Sequence, residues 1–73
     1  MNEQYNTLLQ KANTLKDEIT ELENHIEAGK QFQGEDMYEM LMGMTEAILE
    51  KKHKELSTVI SQLEEMETNI DNN

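Results

Sequence analysis

The chain has 73 residues with six Lys, no Arg, sixteen Asp plus Glu and no Cys, Pro or Trp, giving a net charge of −10. That length accommodates one small domain, 1–73. The charge excludes direct nucleic-acid binding, which needs clustered Lys and Arg against phosphates, and disfavours an anionic membrane surface. Without cysteine there are no disulfides or thiolate chemistry. No apolar run nears the ~18 residues of a spanning helix, and residues 1–10 lack the basic and apolar regions of a signal peptide, so a cytoplasmic location is the default expectation.

The first third reads as a helix over about 3–28. Apolar residues fall at Tyr5, Leu8, Ala12, Leu15, Ile19, Leu22 and Ile26, an alternation of three and four that marks a coiled-coil seam. Asn2 can cap its start, and Gly29 stands where a left-handed C-terminal cap is expected. Residues 29–34, with Gly29 and Gly34 at their ends, read as the turn. Glu35 and Asp36 then open a second helix predicted over about 35–70, with a possible kink at Gly43.

The second helix is less regular. Leu41, Met44 and Ile48 form one 3,4 set, and Leu56, Val59, Leu63, Met66 and Ile70 form another. Joining them through Lys52 requires a stutter, while an alternative face through Leu49 turns His53 inward. Either way a polar residue meets the seam at 52–53. A short turn makes the helices antiparallel, and a turn centred near residue 32 pairs positions whose numbers sum to roughly 64. Ala12 then lies opposite Lys52 or His53, and Leu8 opposite Leu56.

The expected fold is all-α, an antiparallel two-helix hairpin of coiled-coil type that dimerises into a four-helix bundle. In this register helix 2, at ~54 Å against ~39 Å for helix 1, overhangs by ~15 Å. Leu56, Val59, Leu63, Met66 and Ile70 are accordingly the candidate oligomerisation residues, because two helices this short bury little on their own. A parallel pairing of helix 1 copies would set Lys11 against Lys16 and Glu18 against Glu23 of the second copy, so an antiparallel arrangement is expected.

Four of the six methionines lie in Met37-Tyr38-Glu39-Met40-Leu41-Met42-Gly43-Met44. Methionine surfaces are adaptable, so Phe32, Met37, Tyr38, Met40, Leu41 and Met44 are candidates for partner binding; the competing reading makes them a core between copies. Lys51, Lys52, His53 and Lys54 could hold a small anion, or could serve only as rungs of Glu50–Lys54 and Lys51–Glu55 pairs. Glu50 and His53 have the spacing of di-iron helices, and Glu21 and His25 are four apart. No opposing carboxylates complete the first set and His25 falls at the seam edge, so no metal and no cofactor are expected. Ser57 and Ser61 have no base in view, and two helices offer no enclosing pocket, so an enzyme is not expected.

The sequence thus points to a small acidic interaction module, an adaptor, chaperone or inhibitor, that self-associates and docks another protein through the Met-rich patch. The alternative is a mimic of nucleic acid that uses Asp17, Glu18, Glu21, Glu23, Glu27, Glu64, Glu65, Glu67 and Asp71 to block a basic site. Sequestration of a small anion by an oligomer is the minor alternative.

Overall fold

The computed structural model describes residues 3–71, and their side chains through residue 68. The chain runs through α1 (Glu3–Gly29), a 3₁₀ turn (Lys30–Phe32) and α2 (Tyr38–Asp71). The helices pack against each other as an antiparallel hairpin 58 Å long and about 15 Å across. The Asn2 cap and the Ile70 side chain lie outside the described residues.

Every residue of the α1 stripe is turned away from solvent. Ala12, Leu15 and Ile19 are buried, and Tyr5, Leu8, Leu22 and Ile26 are half-buried. The core joins Ala12 and Leu15 to Val59 and Leu63, with Tyr5, Leu8 and Leu56 packed against it. Unbroken 3,4 spacing keeps one face of α1 on its partner for about six turns of the helix.

In α2 the seam differs from the expected one. The residues turned inward include Tyr38, Met42, Thr45, Leu49, Lys52, Leu56, Val59, Leu63 and Met66, which step 4,3,4,3 throughout, with Glu55 half-buried beside Leu56. No stutter occurs. Leu41, Met44 and Ile48 stay outside, 54%, 58% and 47% exposed, and His53 is exposed as well. A constant period matches that of α1, so the packing accepts Thr45 and Lys52 and leaves three large apolar residues in water. Both polar residues have partners: Thr45 Oγ1 donates to the Leu41 carbonyl at 3.0 Å, and Lys52 Nζ to Glu18 Oε1 at 3.2 Å.

The turn and register also differ from expectation. Gly29 is helical, at φ −71° and ψ −17°, and carries no left-handed cap. Its missing Cβ leaves room for Met42 Cε. The positive φ values fall later, at Gly34 (98°) and Met37 (69°). Gln33 N donates to Lys30 O, Glu35 N to Phe32 O and Tyr38 N to Glu35 O, so Glu35 and Asp36 belong to the turn and α2 begins at Tyr38. This longer turn carries the pairing along the chain. Tyr5 with Glu67, Glu18 with Lys52, and Gly29 beside Met42 place facing positions at sums of 70–72.

Two expectations fall with the register. Leu63 is buried and Met66 half-buried against α1, so α2 has no 15 Å overhang through them. Ala12 packs in the Val59 and Leu63 cluster instead of facing Lys52. Gly43 lies within the single unbroken span of α2.

Candidate functional site

The seam of α2 determines what its first three turns leave uncovered. Once Tyr38, Met42, Thr45 and Leu49 face α1, the neighbouring side of the helix carries Leu41, Met44 and Ile48 outward. Met37 and Met40 stand beside them, 61% and 52% exposed. Phe32, at the end of the 3₁₀ turn, is also exposed. Six of the eight large apolar residues exposed among the described ones therefore share the tip half of the rod, Leu9 and Ile60 being the others. Contiguous exposed apolar surface of this kind marks interaction sites in soluble proteins.

Next to the patch, Gly29, Phe32, Tyr38, Leu41 and Met42 line an open depression of about 300 Å³ with Glu35 and Asp36 at its rim. Met42 closes it on the side of Gly29, where its Cε takes the space a Cβ would need. Tyr38 sits on the seam, half-buried, and belongs to the wall of the depression more than to the exposed stripe. Sequence reasoning missed Ile48, which was assigned to the seam. The signal was present: a 3,4 set that could join the following set only through a stutter.

Of the oligomerisation candidates, Leu56, Val59, Leu63 and Met66 are turned toward α1. Their apolar surface is largely taken up within the chain.

The structure does not bring the lysine cluster together. Consecutive helical residues diverge by ~100°, and Lys52 turns into the seam toward Glu18 while Lys54 pairs with Glu50 at 3.6 Å. Lys51 and His53 are exposed on other sides. Among the described residues no three His, Asp or Glu side chains converge as a metal site requires. His25 is exposed and lines a shallow groove with Glu18, Glu21, Leu22, Ile48 and Lys52. Asp17, Glu21, Glu23, Glu27, Glu64, Glu65 and Glu67 are exposed, and Glu18 is half-buried at the Lys52 contact. Ser57 and Ser61 are exposed on α2.

One phenol is perturbed. Tyr5 donates to Glu67 Oε1 at 2.8 Å, and this bond, then desolvation, then the Glu67 charge raise its pKa above the usual 10.0. Among the described residues no helix is long and apolar enough to cross a membrane. No family model matches the chain, and no curated protein or solved structure matches it.

Proposed function

We propose that this protein is a non-enzymatic interaction module that self-associates and docks a protein partner through the apolar surface of its tip half. The reading rests on one observation: Phe32, Met37, Met40, Leu41, Met44 and Ile48 are each about half exposed or more, on a hairpin whose seam is otherwise regular. Desolvating each such side chain against a partner stabilises a complex by roughly 1.5–3 kcal/mol at full burial. Methionine contributes adaptable contact, and its flexible chain fits partners of more than one shape. An adaptor, an assembly chaperone or a short inhibitor would each use such a surface.

The test is capture of the partner by immobilised protein at low and high salt. Wild type retains it at high salt, and Phe32→Asp or Met40→Asp loses it. Capture that survives both substitutions sinks the reading.

The exposed acids of α1 and of the end of α2 favour a second reading, blockade of a basic nucleic-acid site. It predicts the reverse dependence: binding that falls steeply with salt and disappears when Glu21 and Glu23 are neutralised, with Phe32→Asp harmless.

A further inference from the structure

Of the four most exposed large apolar residues among the described ones, three carry sulfur: Met37, Met40 and Met44, each more than half exposed. Met42 differs from them, because its Cε fills the space beside Gly29 and its side chain belongs to the packing. An apolar surface as such needs no sulfur, and the seams of this hairpin are built mainly from Leu, Ile, Val and Ala. A thioether adds lone pairs on a soft, polarizable atom.

The backbone sets the three side chains in a row. Met40 and Met44 are four apart on α2, which leaves their Cβ atoms about 5–6 Å from each other on one face. Met37 stands just before the helix, and its carbonyl accepts from Leu41 N at 3.0 Å, which ties it to the first turn. Met37 and Met40 line the same open hollow of about 480 Å³, and Glu35, Asp36 and Glu39 line it with them.

We propose that Met37, Met40 and Met44 form a binding site for a soft monovalent cation, Cu(I), held by thioether sulfur with Met40 at its centre. Thioethers select Cu(I) over harder ions. Their unbranched, rotatable side chains can gather around an ion from exposed starting positions. Glu35, Asp36 and Glu39 make no ion pair with a described residue, and their charge raises the cation concentration at the hollow. They do not make a site for a hard cation, since among the described residues no three carboxylates or imidazoles converge as ligands. This inference goes beyond the docking reading: docking needs an apolar surface there, whereas this site needs the sulfur atoms.

The test is an NMR titration of the methionine Cε methyls in chloride-free buffer, with Ag(I) as the air-stable probe for the same ligands. Ag(I) is expected to move the methyls of Met37, Met40 and Met44 together, saturating at one ion per chain, while those of Met42 and Met66 stay in place. Cu(I) kept reduced by ascorbate moves the same three. Zn(II), which takes nitrogen, oxygen and thiolate ligands, moves none. Met40→Leu keeps the apolar surface and nearly the same volume, and it raises the Ag(I) dissociation constant at least about tenfold. Met44→Leu, at an independent exposed position, weakens binding in the same direction. Methyls that do not move, equal movement at Met42 and Met66, shifts with Zn(II), or Ag(I) affinity unchanged in both leucine variants overturns the proposal. The docking reading is tested separately at Phe32→Asp and Met40→Asp, so a Met40→Leu chain that loses Ag(I) and still captures its partner separates the two.

Discussion

Lys52 Nζ donates to Glu18 Oε1 at 3.2 Å across 34 residues of sequence, from the middle of a stripe that is apolar at Met42, Leu49, Leu56, Val59 and Leu63 and polar besides only at Thr45. The Lys52 side chain is 27% exposed, so its ammonium is only partly desolvated and its stem covers the seam. A polar residue at a seam position specifies register at a cost in stability.

Lys52→Leu should therefore raise the urea midpoint, by about 1 kcal/mol of stability, because an apolar side chain fits the seam and Glu18 retains access to water. A double-mutant cycle with Glu18→Gln and Lys52→Met should give a coupling of about 0.2–1 kcal/mol, smaller in molar salt. A coupling of several kcal/mol would mean that the pair is far drier than its exposure indicates.

Leu15, 3% exposed, and Leu41 separate the two apolar surfaces. Leu15→Ala should cost about 2–5 kcal/mol, enough to unfold most of a chain this small. Leu41→Ala should change the stability of the hairpin itself by no more than about 0.5 kcal/mol. Equal losses in urea melts of the monomeric chain would show that the stripe belongs to the hairpin core.

The glycines divide by backbone. A Cβ on Gly43 meets nothing within 4 Å, and the residue is helical, so Gly43→Ala should stabilise by about 0.8–1 kcal/mol. Gly34 has the same open space but φ +98°, and Gly34→Ala should destabilise by about 1 kcal/mol or more. Thermal melts of both variants check the signs, and a stabilised Gly34→Ala would refute the turn geometry.

Tyr5 ties a part of the hairpin's stability to alkaline pH. Its pKa is raised in the folded state, so the stability tied to its protonated form is complete below the unfolded value near 10 and is lost as pH rises through the folded value. Difference absorbance between wild type and Tyr5→Phe should place this phenol above an ordinary tyrosine. Glu67→Gln should lower it. A titration unaffected by Glu67→Gln would remove Glu67 as the cause.

Helix 1 was legible almost to the residue because its period never breaks. The register was not, since it depends on the length of a turn whose positive φ angles, at Gly34 and Met37, pair one permissive residue with one that rarely adopts them. The α2 seam was misread for a related reason. Residue-by-residue hydrophobicity favours Leu41, Met44 and Ile48 over Thr45 and Lys52, but continuity of period outweighs it once two helices must stay in contact along their lengths. The Met-rich segment was recognisable as unusual from its composition, whereas its outward direction emerged only with the seam.

Glu3 and Asp71 stand at the same end of the rod, and the turn closes the other. Drawn apart at that end, the helices would separate as a zipper does, one layer at a time, instead of sliding past each other as one block. The Tyr5–Glu67 bond would open first, then the layers around Leu8, Leu63, Ala12 and Val59, with the Lys52–Glu18 link about midway. Peeling loads each contact in turn, so the resisting force would stay near the strength of a single layer however long the hairpin were.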